Sequence, residues 1–397
     1  MLLVTSALVA CGQAPKGGPQ ALGTVSPTPF VEATATPSPQ EPLSPSPATS
    51  PGPLVPLPPL TASYGVLVSL SAGEYDVFLI GADGKVTASS HAARRTKIVT
   101  GDAVSRAEAT ELPYVSATRS RVYYLDGDST LRWMSPSSKG VAMSLPGGPT
   151  ASAAFAVTPD DARIAVSVID FAPRTPVVQL SVGPLGGPMT KMYSSASDYL
   201  WPIGWHAGKL VVGQGAIVSQ GGWQSFNPYS ARSYFVMDST NAARLATIGG
   251  SGLDECPPSG LLTAAGTACY LSTSFGGRSG GYSISDWTGY RYLPPVAASW
   301  SAAASVGRSP NSVTVAVCCE TNATYGRFLV SRGTDAPLTA PLSGKADDWA
   351  CWIDQSHLLS GFKDASLESD VVDLTSQKAL PTGRRGFCAA VLPTDLG

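Results

Sequence analysis

Short apolar segments alternate with polar turns along the chain from Tyr64 onward. The segments are rich in Val, Tyr, Phe and Ala, and the residues between them are mainly Gly, Asp, Pro and Ser. Segments of this kind, bounded by such turns, are typical of β-strands, whereas apolar positions at helical spacing are nearly absent. The pattern therefore predicts an all-β domain, with one short helix expected at residues 102–112.

A unit of four strands recurs along this domain. Its clearest copy has apolar runs at residues 153–157, 163–170, 176–183 and 189–194. Repeats that each contain four strands at such intervals are typical of β-propeller blades. The copies begin near residues 113, 153, 200, 260, 300 and 348.

The two ends of the domain complement each other. Residues 386–392 form a lone strand of the type that begins each unit, whereas the first copy, from Tyr64, lacks that strand. We expect the C-terminal strand to supply it, because a closed ring has no open sheet edge. The sequence thus predicts a seven-bladed β-propeller over residues 61–397. Six or eight blades, or a pair of β-sandwiches, are the alternatives.

One turn carries a family resemblance. Residues 158–165, Thr-Pro-Asp-Asp-Ala-Arg-Ile-Ala, resemble the S-P-D-G-x-x-I-A turn of WD40-like propellers of the TolB type. Asp161 stands where that family usually has Gly, and the Trp-Asp dipeptide of WD40 repeats is missing. The resemblance implies a propeller with an extracytoplasmic binding or scaffold role, and it transfers no catalytic residue.

The N-terminus indicates export. Residues 2–10 form a short apolar stretch that suits the core of a signal peptide and is too short to span a bilayer. Residues 8–11, Leu-Val-Ala-Cys, resemble the lipobox of bacterial lipoproteins, although no Lys or Arg precedes them. The resemblance implies a signal peptide over residues 1–10 and a lipid on Cys11. The lipid would anchor the protein to the outer leaflet of a bacterial cell membrane or to the outer membrane.

Residues 11–60 predict a disordered tether between this anchor and the domain. Fourteen of the chain's 34 prolines lie between residues 12 and 60, where only three residues are charged. A Pro/Ser/Thr-rich segment of this kind buries too little apolar surface to offset the entropy of ordering.

Composition narrows the partners. Charged residues make up 14% of the chain and the net charge is −2, which argues against a nucleic-acid-binding surface. No apolar run is long enough to predict a membrane-spanning helix, so contact with the membrane is expected through the lipid alone.

The cysteines predict disulfides, with free buried thiols as the alternative. Six remain after Cys11, and an even number in an exported domain is typical of paired cysteines. Cys256 lies shortly before the strand of Cys269, while Cys351 and Cys388 fall on first strands of neighbouring units. These two pairs are the candidates, and Cys318 and Cys319 stay unassigned.

Signals for catalysis and for cofactors are weak. The chain has three histidines and no Cys-x-x-Cys, which argues against a metal site. His206 and His357 both fall at tight turns between strands. Residues 277–281 match G-x-S-x-G, but they join two strands, whereas a nucleophile elbow joins a strand to a helix. We expect no catalytic residue, metal or cofactor.

One loop has the composition of a binding surface. Residues 214–231 carry Trp223, Phe226 and Tyr229 among Gly, Ser, Gln and Asn, as binding loops do. An insertion that only packs over its own unit is the alternative. Loops between second and third strands share one face of a propeller with the connections between blades. Further candidates on that face are Asp198, Tyr199, Asp254, Glu255, Arg278, Trp300, Asp347 and Asp348.

The sequence therefore predicts a lipid-anchored binding or scaffold module whose ligand is a protein or a glycan. The alternative is a glycan-active propeller enzyme that uses carboxylates from these loops. In that alternative a pair of carboxyl groups would flank an aromatic-lined cleft. The carboxylates available for it are Asp198, Asp254, Glu255 and Asp348.

Overall fold

The computed structural model describes part of the chain. Residues 1–56, which include the predicted leader, Cys11 and most of the predicted tether, lie outside that part. The described residues are 57, 62–95, 98–99, 106–107, 115–147, 150–173, 175–215, 218–220, 223–225, 233–248, 267–270, 282–285, 290–293, 305–308, 315–318, 327–331, 338–341, 349–361 and 368–390.

These residues form strands and turns, and no helix occurs among them. The first strands are β1 (Tyr64–Leu70), β2 (Glu74–Gly81), β3 (Val86–Ala93), β4 (Ile98–Val99), β5 (Arg106–Ala107), β6 (Val115–Ala117), β7 (Val122–Asp126), β8 (Thr130–Met134) and β9 (Lys139–Ser144). There follow β10 (Ala151–Val157), β11 (Arg163–Asp170), β12 (Val177–Pro184), β13 (Thr190–Ser195), β14 (Tyr199–His206), β15 (Lys209–Gly215), β16 (Val218–Gln220), β17 (Trp223–Ser225), β18 (Ser233–Met237) and β19 (Arg244–Ile248). The remainder are β20 (Thr267–Tyr270), β21 (Tyr282–Ser285), β22 (Tyr290–Leu293), β23 (Ser305–Arg308), β24 (Val315–Cys318), β25 (Arg327–Ser331), β26 (Leu338–Pro341), β27 (Trp349–Trp352), β28 (His357–Gly361), β29 (Glu368–Asp373), β30 (Lys378–Arg385) and β31 (Phe387–Ala390).

Most of the strands are arranged as successive antiparallel sheets. The first sheet has the order β3-β2-β1-β31, the second contains β6–β9, the third β10–β13, and the fourth has the order β14-β15-β18-β19. The fifth contains β20–β22, the sixth β23–β26 and the seventh β27–β30. The predicted all-β fold built from four-stranded antiparallel sheets, as in a β-propeller, is confirmed. The described residues include no helix that is long and apolar enough to cross a membrane.

The predicted helix at residues 102–112 is wrong. Within that range Arg106–Ala107 forms β5, which pairs with β4 on one side and with β17 on the other. Helix propensity is a weak preference, and pairing with strands distant in the sequence overrides it here.

Neighbouring sheets are joined where their first strands meet. β6 contacts β10, β10 contacts β14, and β31 contacts both β6 and β27. Ser116 Oγ accepts a hydrogen bond from the Val157 amide at 3.0 Å, and the indole Nε1 of Trp205 donates to the Ala156 carbonyl at 3.1 Å. These side chains satisfy backbone groups of an adjacent sheet that would otherwise be buried without partners.

The hydrophobic core lies between the sheets. Tyr123 of the second sheet packs in one cluster with Phe155 and Val166 of the third, and all three side chains are fully buried. A second cluster joins Leu180 of the third sheet to Trp205 of the fourth. The third sheet is therefore apolar on both faces and needs a neighbour on each side.

The C-terminal strand completes the first sheet. Val66, Leu67 and Val68 of β1 pair with residues of β31 in antiparallel register. This is the position that the sequence predicts for the last strand.

The domain contains a disulfide, as expected. It joins Cys351 of β27 to Cys388 of β31, with 5.9 Å between the two Cα atoms, and so links the seventh sheet to the first. Cys256 lies outside the described residues, and Cys269 is described only as part of β20.

The turn between β10 and β11 accommodates Asp161, which stands where TolB-type propellers usually have Gly. Asp161 has φ 60°, a conformation that glycine adopts freely and that Asp tolerates better than most residues. Its carboxylate accepts hydrogen bonds from Tyr123 OH at 2.9 Å and from Ser120 Oγ, both in the second sheet. It also lies 3.8 Å from Nε of Arg121, whose side chain is 1% exposed. Asp161 thus adds a polar contact between the second and third sheets that a glycine at this position would lack.

Replacing Asp161 with glycine tests this link. The Asp161→Gly variant keeps a residue that suits φ 60°, so the change isolates the loss of the carboxylate. We expect the free energy of unfolding to fall by about 2 kcal/mol, because Tyr123 loses an acceptor and a buried Arg loses a counter-charge. Urea unfolding measures the change. Asp161→Asn, which keeps an acceptor, is expected to lose less, and a glycine variant as stable as the wild type would contradict the link.

Candidate functional site

The loop singled out by its composition is a hairpin inserted into the fourth sheet. It lies between β15 and β18, which pair directly with each other. Its strands β16 and β17 are antiparallel, with Gln220 opposite Trp223 at the turn and Val218 opposite Ser225 at the base. The insertion therefore has its own ordered backbone.

This hairpin pairs with a segment that precedes it by more than a hundred residues. β17 is parallel to β5, with Trp223 opposite Arg106, and β5 is antiparallel to β4. Both β4 and β5 belong to the connection between the first and second sheets. We call the four-stranded sheet β16-β17-β5-β4 the insertion sheet. An insertion between second and third strands thus meets a connection between two sheets, as expected for elements on one face of a propeller.

Hydrogen bonds hold the base of the insertion. Gln214, just before it, pairs with Ser233, just after it, and Ser233 Oγ donates to Gln214 Oε1 at 3.0 Å. The amide Nε2 of Gln214 donates to Asp198 Oδ1. Asp198 lies in the connection between the third and fourth sheets, so one side chain, Gln214, joins both ends of the insertion to that connection.

The carboxylate of Asp198 is held on both oxygens. Tyr193 OH lies 3.2 Å from Oδ2 and donates to the Asp198 carbonyl at 3.1 Å, while the Asp198 amide donates to Ser195 Oγ at 3.0 Å. Burial raises the pKa of the Tyr193 hydroxyl, and the negative charge of Asp198 raises it further. The hydroxyl is therefore protonated at neutral pH and can donate a hydrogen bond. The arrangement fixes Asp198 as a structural acceptor.

Tyr199, a predicted ligand contact, lies in the core. Its side chain is 8% exposed, and its hydroxyl donates to the carbonyls of Pro176 at 3.0 Å and of Ala196 at 3.1 Å. Burial raises the pKa of this hydroxyl. The residue type alone does not indicate that Tyr199 is buried, because Tyr occurs both in cores and on binding surfaces.

A cavity of about 270 Å³ opens near the end of β11, where the connection from the second sheet meets the third. The carboxylate of Asp170 at its wall accepts from Thr150 Oγ1 and from the Ala172 amide, both at 2.9 Å. Sequence analysis missed it because no local pattern links the segments that form it. The lining residues are Pro146, Gly147, Thr150, Ala151, Val168, Asp170, Gln179 and Ser181.

Most other sequence candidates fall outside the described residues. Trp223 is described as part of β17, by its backbone only. The candidates outside the described part are Phe226, Tyr229, Asp254, Glu255, Arg278, Trp300, Asp347 and Asp348.

The histidines that the sequence places at turns are found there. His206 ends β14 and is followed by Ala207 and Gly208, both with positive φ, as a tight hairpin requires. Nδ1 of His357 lies 2.9 Å from Asp354 in the turn before β28. Among the described residues, no cluster of His, Cys, Asp and Glu could hold a metal ion.

Comparisons with known proteins give structural likeness only. An oligogalacturonate lyase in complex with manganese is 9% identical with a TM-score of 0.42, over 80% of this chain and 97% of the lyase chain. TolB from Acinetobacter baumannii is 12% identical with a TM-score of 0.37, over 82% of each chain. Saccharomyces cerevisiae Sqt1 is 11% identical with a TM-score of 0.38, over 67% of this chain and 83% of Sqt1.

No protein-family model matches the chain, and no curated protein matches it in sequence. Structural likeness at this level carries no function to this chain. The description of the fold depends on the sheets themselves.

The bonds of Asp198 predict how firmly the insertion is held. In Asp198→Ala we expect the amides of β16 and β17 to exchange with solvent about fivefold faster, since one hydrogen bond of about 1 kcal/mol is lost at their base. Hydrogen exchange followed by mass spectrometry measures this. Asp170→Ala, at the end of β11 in the third sheet, is the matched control and is expected to leave these amides unchanged. Equal exchange in the two variants would show that Asp198 does not support the insertion.

Proposed function

We propose that the protein is an exported, lipid-anchored, seven-bladed β-propeller that acts as a binding or scaffold module for a protein or a glycan. Contact with the ligand is made through the face that bears the insertion sheet. The observation that carries this proposal is the pairing of β17 with β5, which joins two separate insertions into one sheet.

A joint sheet of this kind suits recognition. Each segment alone is a short piece of chain that is costly to order. Paired together, they form a backbone platform, and less backbone entropy is lost when a ligand binds. Trp223 is the first residue of β17, an inner strand of this sheet, beside the hairpin turn. A Trp offers a large contact area for few rotatable bonds.

The ring is proposed to have seven blades, one for each of the antiparallel sheets described above. Contacts between first strands support this order: β31 meets β6, and β20 meets β23, which meets β27, which meets β31. The C-terminal strand in the first sheet gives the junction at which the ring closes. The blades together form the domain proposed for residues 61–397.

The lipid anchor is proposed from the sequence alone. The apolar leader, Cys11 and the Pro-rich residues 12–60 form the order expected of a surface lipoprotein: signal, lipid and tether. Polyproline segments extend by about 3.1 Å per residue, so the tether could place the domain on the order of 100 Å from the membrane.

The enzymatic alternative receives no support from the described residues. A glycosidase of the usual type needs one carboxylic acid free to protonate the leaving group and a second carboxylate across the substrate. Both oxygens of Asp198 already accept hydrogen bonds from Gln214 and Tyr193. We therefore assign Asp198 a supporting role at the insertion.

Truncating Trp223 tests the binding face. We expect the isolated domain carrying Trp223→Ala to recover its partner from native cell envelope at least about 30-fold less efficiently, since a buried aromatic anchor contributes about 2 kcal/mol or more. Quantitative pull-down measures recovery after both proteins are shown to melt alike. Leu245→Ala is the control, because Leu245 is a 52% exposed apolar side chain on β19, the outer strand of the fourth sheet, and does not belong to the insertion sheet. Equal recovery by wild type and Trp223→Ala would remove Trp223 from the interface.

Metabolic labelling tests the anchor. Cells given an alkynyl fatty acid are expected to label the wild-type protein and the Cys351→Ala/Cys388→Ala variant equally. Cys11→Ala is expected to carry no label and to leave the membrane fraction, because the lipidated residue is gone. Label on the Cys11→Ala protein would refute lipidation at this position.

A further inference from the structure

We infer that the Cys351–Cys388 disulfide is a redox latch on the C-terminal strand. While the bond is intact, β31 stays in the first sheet. When the bond is reduced, β31 is released and the first sheet loses its fourth strand, while the second to fourth sheets keep their structure. The inference depends on the geometry of this junction and not on the proposed ligand or lipid anchor.

The strand is weakly held by its own pairing. β31 has four residues and pairs with β1 at Val66, Leu67 and Val68, with a register shift between the first two. On the other side of β1, every residue from Tyr64 to Leu70 pairs with β2. The last strand therefore has far fewer backbone contacts than the strand it completes, and so few pairs would leave it prone to fray.

The disulfide lies at the junction of two sheets. Cys351 belongs to the first strand of the seventh sheet, and Cys388 belongs to the first sheet. Around the bond, Leu67 of β1 packs in one apolar cluster with Ile353 and Leu359 of the seventh sheet. The bond is thus a second covalent link between the seventh sheet and β31, in addition to the backbone that joins β30 to β31 through Gly386.

The seat of β31 is tight. A Cβ atom placed on Gly361 would lie 2.5 Å from the Cys388 nitrogen. A Cβ atom on Gly386 would lie 2.3 Å from the Val68 oxygen. Glycine at these two positions therefore lets the backbone of β31 pack directly against β28, and lets the chain before β31 pack directly against β1.

Burial determines how the latch responds to reductant. The residues Cys351 and Cys388 are 3% and 1% exposed, so a thiolate reaches the sulfurs only after the junction opens locally. A dithiol reductant then attacks one sulfur and forms a mixed disulfide, which releases the other cysteine as a thiolate that takes up a proton. The second thiol of the reductant displaces the remaining cysteine. Two cysteine thiols and an oxidised, disulfide-bonded reductant result.

The test follows hydrogen exchange at the junction in three samples of the full chain. These are the oxidised wild type, the wild type kept reduced in dithiothreitol, and the Cys351→Ala/Cys388→Ala variant. We expect amides of residues 66–68 and 387–389 to exchange about thirtyfold faster in the last two samples, because loss of a disulfide typically costs about 2 kcal/mol or more. Amides of β11, in the third sheet, are expected to be unchanged, and reoxidation of the wild type is expected to restore protection at the junction.

Three results would overturn the inference. One is a peptide map under non-reducing conditions in which Cys351 and Cys388 are not linked. The second is equal exchange at the junction in oxidised and reduced protein. The third is faster exchange throughout the domain on reduction, including β11, which would make the bond a general stabiliser and not a latch on one strand.

Discussion

The structure depends on sheets that are apolar on both faces. In β11, Ile164 and Val166 belong to the cluster shared with the second sheet, while Ala165 between them belongs to the cluster shared with the fourth. Successive residues of a strand point to opposite faces, so the third sheet needs a packed neighbour on each side. The first sheet likewise shares one apolar cluster with the second sheet and another with the seventh, so packing between neighbouring sheets buries both of its faces. Polar bonds follow this packing: Ser167 Oγ donates to the Leu200 carbonyl of the next sheet at 2.7 Å.

Local patterns in the sequence were enough to predict the strands and turns. The apolar run and turn at residues 153–170 fold as expected because period-two alternation and turn residues act within a few positions of each other. Such local patterns do not indicate which strands pair when they are far apart in the sequence. Nothing near Arg106 indicates that it will lie opposite Trp223, and the local pattern alone favours a helix there. The burial of Tyr199 is also non-local, because its hydroxyl bonds Pro176 in the loop between β11 and β12.

The candidate site combines a stable base with segments that the sheets do not require. Gln214 belongs to the fourth sheet and Asp198 to the connection before it. The hydrogen bond between them fixes the point at which the insertion leaves the fourth sheet. Beyond that point, the hairpin is supported by β5, which is itself an addition between two sheets. Such a division lets the recognition surface change without disturbing the packing of the core, as is usual for loops on a rigid scaffold. The histidines and Asp161 make contacts within turns or between strands: His357 bonds Asp354, His91 bonds Asp76, and Asp161 bonds Tyr123.

The long sequence separation between β1 and β31 also bears on how the protein is made. Leu67 pairs with Cys388, so the inner edge of β1 waits for more than three hundred residues before its partner is synthesised. Chains are made at about 5 to 20 residues per second, which leaves that edge and the apolar surface beneath it exposed for tens of seconds. Open edges of this kind recruit other strands. Folding during synthesis therefore requires that β1 does not pair with other strands before β31 has been made.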